Sequence, residues 1–255
     1  MITYGGLSII NAIPSGIGAV IPIDLQFNTI ISTGPGILDE MDFRILKEIF
    51  NIEFHQIRIE KKSQIPQGVG LKSSSAYTSS LIGEYFRYSG RKIPLIKIAR
   101  LSSKVSKKYG LSITGAFDDA MASLSSKLVM TENSKNKVLM MQKVPKMKVI
   151  IAIPDFKRPN DMFERLKRVD SSEALYYSFK GNFSRAAIIN GYQIGKALGY
   201  PTELLDRLIE IGSSMVGYSG NGPSLFATVN SDNIDRIREF MATLGKVIET
   251  ETRGA

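Results

Sequence analysis

The sequence predicts an α+β protein, in which strands and helices are mixed along the chain rather than alternating as βαβ units. Two observations favour this class. β-branched and apolar residues dominate residues 1–33 and 148–155, as is typical of strands. Elsewhere, for example over 94–108 and 185–198, apolar residues recur at the spacing of an amphipathic helix.

Runs of β-branched and apolar residues bounded by turn residues predict the strands. We expect them at 2–10, 18–31, 55–60, 125–141 (a hairpin), 148–155, 225–229 and 246–252. The connection 11–18 contains Pro14 and two glycines and is predicted to be a turn. It has two interpretations: an irregular hairpin loop, or a loop that lines a substrate pocket and brings Asn11 or Ser15 to a substrate hydroxyl.

Apolar stripes, bounded by glycine or proline at several ends, predict the helices. We expect them at 38–51, 73–88, 94–108, from about 117, and at 161–168, 172–180, 185–198, 201–211 and 234–244. The segment Val144-Pro145-Lys146 resembles a linker, and we therefore predict a domain boundary just before the strand at 148.

Composition excludes several classes of site. The chain of 255 residues has no cysteine, which rules out disulfides and thiol catalysis. Its single histidine, His55, cannot build a histidine-rich metal site or a Ser-His-Asp triad, and we interpret it as structural. The net charge of +9 suits an anionic partner or a lysine-rich surface. The start of the chain lacks a signal-peptide pattern, and no apolar run is long enough to span a bilayer, so we expect a cytoplasmic protein that does not associate with membranes.

The residues 68–76, Gly-Val-Gly-Leu-Lys-Ser-Ser-Ser-Ala, form the first stretch that carries chemistry. Glycines leave backbone N–H groups uncovered, and the serines open a helix whose first N–H groups lack partners and carry the positive end of the helix dipole. This arrangement predicts a phosphate site. A glycine-rich turn with a serine N-cap is the alternative.

Two adjacent carboxylates, Asp118 and Asp119, follow a glycine turn and open a helical pattern. Acidic residues in a first turn favour the helix dipole, so capping is one interpretation. Catalysis is the other. A third stretch, 215–224, places Gly217, Gly220 and Gly222 within six residues before a strand, which predicts either a glycine-rich hairpin loop or part of a ligand site.

Together, the three stretches resemble those of the GHMP kinases (galacto-, homoserine, mevalonate and phosphomevalonate kinases). The phosphate loop of that family reads Pro-x-x-x-Gly-Leu-Gly-Ser-Ser-Ala, and the residues that fit it are Pro66, Gly70, Leu71, Ser73, Ser74 and Ala76. Lys72 departs, because most members carry glycine there. Lys-Ser-Ser-Ser and Thr-Gly-Ala-Phe-Asp-Asp-Ala resemble one branch, the archaeal shikimate kinases.

The resemblance implies a GHMP kinase fold. Its N-terminal domain, expected over 1–145, is like the second domain of ribosomal protein S5, and its C-terminal domain, expected over 146–255, is ferredoxin-like. It also implies a kinase that uses ATP and Mg²⁺ to phosphorylate a hydroxyl of shikimate, giving shikimate 3-phosphate in chorismate and aromatic amino-acid biosynthesis. The oligomeric state is not predicted.

The resemblance also implies roles for individual residues. Those expected to bind the ATP phosphates are Pro66, Gly68, Gly70, Leu71, Lys72, Ser73, Ser74 and Ser75. Ser73 and Ser74 are in addition the expected magnesium ligands, and no glutamate between 91 and 115 offers a second one. Asp118 aligns with the family's catalytic aspartate, with Asp119 as its neighbour. The expected substrate contacts from the loops are Asn11, Ser15, Gly217, Gly220 and Gly222. Because a substrate carboxylate favours an arginine partner, Arg158, which follows the strand ending at Asp155, is the candidate for that contact, and a surface arginine in a basic loop is the alternative.

Two alternatives stay open at this point. Another GHMP kinase, acting on homoserine or a mevalonate derivative, would carry similar loops. An RNA-binding protein is the second, because S5-like folds also bind nucleic acid and the chain is basic. The second alternative predicts a clustered basic stripe interleaved with aromatic residues, which the sequence lacks, so we expect no nucleic-acid partner.

Overall fold

The computed structural model describes residues 1–36, 38–50 and 56–254. Within these ranges the strands, numbered in chain order, are β1 Ile2–Ile10, β2 Ile17–Thr33, β3 Ile57–Ser63, β4 Leu128–Glu132, β5 Lys137–Gln142, β6 Lys148–Pro154, β7 Val216–Tyr218, β8 Leu225–Val229 and β9 Gly245–Glu251. A short 3₁₀ turn, Asn133–Lys135, joins β4 to β5.

The helices of the described residues surround the strands. They are α1 Glu40–Phe50, α2 Ser73–Tyr88, α3 Leu95–Lys108, α4 Phe117–Ser123, α5 Met162–Lys167, α6 Ser172–Phe179, α7 Phe183–Leu198, α8 Glu203–Glu210 and α9 Ile234–Ala242. This mixture of helices and antiparallel strands confirms the predicted α+β class. The predicted helix 73–88 has the same bounds as α2, whereas His55, and with it the predicted start of the strand 55–60, lies outside the described residues.

One predicted turn contains a strand. The glycine-rich stretch 215–224 begins with β7, and Gly217 is its central residue. A Cβ at Gly217 would lie 3.1 Å from the Ala187 carbonyl oxygen on α7 and 3.1 Å from the Phe226 ring. The glycine therefore allows α7 to pack closely on the sheet, and a turn begins only after Tyr218.

The described strands form two antiparallel sheets. The first has the order β1-β2-β4-β5, with β3 also paired to β2, and the second has the order β7-β8-β6-β9. The first sheet uses strands that end before residue 145, and the second uses strands that begin after 146. The division of the chain into two domains at this point remains a proposal.

The core is continuous across the two sheets. One buried cluster contains Leu7 and Ile23 from the first sheet together with Ile151 and Phe226 from the second. The backbone also joins the sheets, because Ile23 forms a β-bridge with Thr252. Helix α7 contacts both β1 and β7. Since both sheets contribute side chains to this cluster, residues from distant parts of the sequence hold a fixed relation to one another.

Within the described ranges, no helix combines the length and the apolar content that crossing a membrane requires.

Candidate active site

The loop before α2 adopts left-handed backbone conformations that expose its N–H groups. Gly68, Gly70 and Lys72 have φ values of 75°, 94° and 70°. Lys72, rather than a serine, occupies the N-cap position, and its side chain caps none of the described first-turn N–H groups. The alternative of a serine N-cap is therefore wrong. The first turn of α2 presents uncapped N–H groups and the positive end of a 16-residue helix, which together suit an anion.

Gly70 holds this loop against the third glycine-rich stretch. A Cβ at Gly70 would lie 2.1 Å from the Ser219 carbonyl oxygen, so only glycine permits this approach. The Ser219 hydroxyl donates to the Gly70 carbonyl oxygen at 2.9 Å and accepts from the Ser8 N–H at 3.1 Å. Ser219 thus connects β1, the phosphate loop and the C-terminal sheet.

A cavity of about 390 Å³ opens where these segments meet. Its lining includes Ser8, Asn11, Gly68, Gly70, Lys72, Ser73, Ser74, Ser75, Ile113, Thr114, Asp118, Asp119, Arg158, Met162, Gly220 and Asn221. Most of the residues singled out in the sequence lie around this one space. Its composition, hydroxyl groups beside two carboxylates and two cations, is suited to a charged, hydroxylated ligand.

Lys72 points across the cavity rather than into solvent. Its side chain is 9% exposed, its Nζ donates to the Ser8 hydroxyl at 2.6 Å, and it lies 3.2 Å from Oδ1 of Asp119. The departure from glycine at this position therefore adds a nearly buried ammonium group beside the candidate phosphate loop.

Asp118 is buried at the start of α4, with 4% of its surface exposed. Asn133 Nδ2 donates to Asp118 Oδ1 at 2.8 Å. Among the described residues, Oδ2 has no hydrogen-bond donor and instead faces β2, where a Cβ at Gly18 would lie 1.9 Å from it. One carboxylate oxygen is therefore held by Asn133, and the other makes no described hydrogen bond in a residue that lines the cavity.

Asp119 has a different environment from Asp118, although the two residues are adjacent in the sequence. Burial raises its pKa to about 7; Lys72 opposes this change and the charge of Asp118 adds to it. Lys72 lies at ion-pair distance from Asp119 Oδ1, yet this buried oxygen has no aligned hydrogen-bond donor within the described residues. Asp119 consequently changes charge near neutral pH.

Arg158 bridges the two glycine-rich segments from the loop between β6 and α5. Its Nε donates to the Gly222 carbonyl oxygen at 3.2 Å, and its Nη2 donates to the carbonyl oxygens of Gly222 and Gly68. No carboxylate of the described residues pairs with it. The guanidinium group therefore orders the cavity wall and retains donors for an anionic ligand.

Asn11 lines the cavity, but its side chain is engaged. Its Nδ2 donates to the Gly220 carbonyl oxygen and to Asn221 Oδ1, both at 2.9 Å, and its Oδ1 accepts from the Ile13 N–H at 2.9 Å. The Tyr200 hydroxyl donates to the Asn221 carbonyl oxygen at 3.0 Å. Asn11 thus shapes the glycine-rich loop, and a direct contact from Asn11 to a substrate hydroxyl would compete with these bonds.

Five of the residues predicted for the site lie outside the cavity lining, although one of them, Gly222, accepts a bond from Arg158, which lines it. Ser15 is exposed, and its hydroxyl accepts from the Ile17 N–H within its own turn. Gly217 is buried in β7. Pro66 precedes the loop, and Leu71 is 1% exposed in the shared core, where it anchors the loop.

A second cavity, of about 840 Å³, adjoins the first on the other side of the phosphate loop. Gly68, Ser73 and Ser74 line both cavities, and Phe27, Met41 and Tyr77 give the second one an apolar wall. The Tyr77 hydroxyl donates to buried Asp42 at 2.6 Å, and Lys61 donates to the same carboxylate at 2.8 Å. The second cavity is therefore bounded by aromatic and charged side chains, and such a space is compatible with a nucleoside.

The residues present are compatible with a magnesium ion. Among the described residues, no group of three or more acidic or histidine side chains forms a preformed metal site. Mg²⁺ usually takes only one or two protein carboxylates, together with phosphate oxygens and water. Ser73 and Ser74 and the Asp119 oxygen that lacks an aligned donor supply oxygen donors of that kind within one cavity.

Sequence reasoning missed several members of the site. The sequence patterns did not single out Ser8, Asn133 or Asn221, which the structure brings to the site. A signal existed for Ser8, because it is a polar residue within an apolar strand. None existed for Asn133, since its contact with Asp118 depends on the fold.

Comparisons with known proteins identify one family. Residues 41–127 match the family model described as GHMP kinases N terminal domain. The chain is 34% identical to a shikimate kinase of Pyrococcus furiosus, with 97% of this chain and 96% of that protein covered. It is 31% identical to a shikimate kinase of Thermoplasma acidophilum, with 88% and 84% covered.

Solved structures support the fold. The mevalonate kinase of Methanococcus jannaschii superposes with a TM-score of 0.77 at 16% identity, covering 99% of this chain and 97% of that chain. The galactokinase of Lactococcus lactis, complexed with galactose, has a TM-score of 0.72 at 14% identity, with 100% and 93% covered. The predicted GHMP kinase fold is thereby confirmed. On its sequence relatives and its fold, the chain belongs to the GHMP kinase family, in the branch of the archaeal shikimate kinases.

Proposed function

We propose that this protein is a shikimate kinase, which transfers the γ-phosphoryl group of ATP to a hydroxyl of shikimate to give shikimate 3-phosphate. One observation carries the proposal: the uncapped start of α2 faces the same cavity as the Asp118–Asp119–Lys72 cluster. Phosphoryl transfer needs a cradle for the donor phosphates and a positioned acceptor, and here they share one space.

The donor nucleotide would occupy both cavities. The N–H groups of residues 68–75 cradle its phosphates, and the Ser73 and Ser74 hydroxyls lie on the boundary with the second cavity. The aromatic wall formed by Phe27 and Tyr77 receives the nucleoside. ATP bound there would supply the phosphoryl group, and Ser73, Ser74 and Asp119 would hold a Mg²⁺ ion that offsets its charge. Because ATP is present in the cytoplasm, we also propose that the reaction takes place in that compartment.

Asp118 acts on the acceptor hydroxyl. With Oδ1 held by Asn133, its Oδ2 orients the hydroxyl and takes its proton as the oxygen attacks phosphorus. Asp119 pairs with Lys72 and keeps the ammonium group between Ser8 and the phosphate loop. There the charge of Lys72 stabilises the negative charge that develops on the transferring group.

Arg158 is the proposed partner of the substrate carboxylate. It is the cavity cation that has no carboxylate partner among the described residues, because Lys72 is already paired. Its Nε and Nη2 donate to backbone carbonyl oxygens, and the guanidinium also interacts with the Tyr200 hydroxyl. A carboxylate bound to this guanidinium would place an acid substrate beside Gly220, with its hydroxyls toward Asp118.

The test is a coupled assay of ADP release with shikimate, homoserine and mevalonate, with and without magnesium. We expect magnesium-dependent turnover with shikimate. ADP release with homoserine or mevalonate but not with shikimate would contradict the proposed substrate.

The roles of the two aspartates are separated by Asp118→Asn and Asp119→Asn. The first should lower kcat by about 10²-fold or more, the scale of general base catalysis, with little change in KM for shikimate. The second should act mainly on magnesium dependence and on the pH profile. A near-wild-type Asp118→Asn beside an inactive Asp119→Asn would transfer the role of base to Asp119.

A further inference from the structure

Asn133 lies outside the chemistry described so far, yet it is the residue that holds Asp118. It is 3% exposed, in the 3₁₀ turn between β4 and β5. Its Nδ2 donates to Asp118 Oδ1 at 2.8 Å, and its Oδ1 accepts from the backbone N–H of Asp118 at 3.0 Å. One side-chain amide therefore binds both the main chain and the carboxylate of the same aspartate.

The orientation of the Asn133 amide is fixed by its neighbours. A backbone N–H can only donate, so the group facing Asp118 N is the oxygen. The Thr131 hydroxyl donates to the same oxygen at 2.6 Å. The amide nitrogen is thereby turned toward the Asp118 carboxylate and toward the Thr114 hydroxyl, which is 3.5 Å away. Asn133 is a hydrogen-bond donor to this carboxylate by necessity.

The turn that carries Asn133 is itself attached to the sheet. The Asn133 N–H donates to the Gly16 carbonyl oxygen at 2.8 Å, at the start of β2. The same strand contributes Gly18, whose missing side chain leaves room for Asp118 Oδ2. The carboxylate is thus fixed between β2 and α4, with one oxygen bonded and the other left to accept.

We propose that Asn133 is a positioning residue for phosphoryl transfer, which keeps the Asp118 carboxylate as an oriented hydrogen-bond acceptor for the substrate hydroxyl. This inference rests on the proposed kinase function. The charged groups next to Asp118 in the described residues are Asp119, on the same helix, and Lys72, which pairs with Asp119. A substitution at Asn133 therefore affects Asp118 directly. It affects Asp119 and Lys72 only through the charge of Asp118.

Asn133→Asp and Asn133→Ala test the role, with Asn136→Asp as the matched control. The first variant keeps the shape but places a second carboxylate against Asp118 Oδ1, and like charges at that distance share a proton. The control adds the same charge in the same turn. Asn136 has a left-handed φ of 47°, which aspartate tolerates, and it bonds Ser103 rather than Asp118.

For Asn133→Asp we expect kcat at pH 7 to fall 10- to 100-fold and the acid limb of its pH profile to move up by at least one pH unit. Asn133→Ala should lose about tenfold in kcat. KM for ATP should change by less than about threefold in both variants, because Asn133 lines neither cavity and the nucleoside is assigned to the second one. Asn136→Asp should keep the wild-type kcat and pH profile.

Thermal melts separate positioning from folding. A fall in Tm with wild-type kcat and pH profile in both Asn133 variants would make the residue merely structural and would overturn the inference. Equal changes of kcat and pH profile in Asn133→Asp and Asn136→Asp would also overturn the inference. If the wild type turns over an acceptor other than shikimate, the substrate proposal fails and the same variants are measured with that acceptor. If it turns over none, the inference falls with the proposed function.

Discussion

The raised pKa of Asp119 predicts a specific dependence of stability on pH. The ordinary value is 3.8, and burial raises it to about 7 in the folded protein, against the opposing effect of Lys72. Between these values the folded chain binds a proton that the unfolded chain has released. The stabilisation by this proton is complete below about pH 4 and is lost as pH rises through about 7.

The magnitude follows from proton linkage. One proton of difference changes the free energy of unfolding by about 1.4 kcal/mol per pH unit, so the interval from about pH 4 to about pH 7 amounts to about 4 kcal/mol at most. Asp119→Asn removes the titration. The free energy of unfolding of the variant, minus that of the wild type, should therefore rise by up to this amount across the interval and stay level above about pH 8.

Urea unfolding of both proteins at a series of pH values measures this difference. Asp170→Asn is a control of opposite sign, because the Ser172 hydroxyl and N–H lower the pKa of the exposed Asp170 carboxyl. Its difference curve should fall slightly as pH rises through about 4. A level curve for Asp119→Asn between pH 4 and 8 would refute the assignment of a neutral-range pKa to this buried group.

The remaining predictions concern four residues around the cavity. Gly70→Ala, with φ at 94° and its Cβ 2.1 Å from the Ser219 carbonyl oxygen, should lower stability by about 1–3 kcal/mol and raise KM for ATP, measured by melts and kinetics. Gly68→Ala meets no atom within 4 Å and should cost only the left-handed strain, about 1–2 kcal/mol, so equal losses would argue against the Ser219 contact. Ser74→Ala should weaken the use of ATP and magnesium without lowering Tm, and unchanged kinetics would remove Ser74 from the site. Arg158→Lys keeps the charge but loses the planar fork, and should raise KM for shikimate about tenfold or more; an unchanged KM would exclude Arg158 as the carboxylate partner.

Much of the fold was predictable because its periodic patterns are long. The apolar stripe of α2 and the β-branched run of β6 specify their elements over many residues, and their observed bounds differ little from those expected. Strand β7 was not predictable in the same way. It has three residues with a glycine at its centre, and only the packing of α7 against Gly217 makes that segment a strand.

In the candidate site, too, the local features could be predicted from the sequence and the long-range contacts could not. The phosphate loop and the aspartate pair are local, so glycine, serine and acidic residues in a short stretch were enough to find them. The interactions that define their chemistry are not local. The bond from Lys72 to Ser8 spans 64 positions, and that from Asn133 to Asp118 spans 15. Residue types alone could not show that Lys72 is paired or that Asn11 is already engaged.

The continuous core also constrains how the protein is made. Leu7 and Ile23 are synthesised before Phe226 of the same cluster and before Thr252, which bridges to Ile23. Until then, the first sheet has an uncovered apolar face, and the cavity lacks Gly220 and Asn221. The nascent chain should therefore aggregate unless that face is shielded, and it should bind ligand only after β8 and β9 have paired with β6.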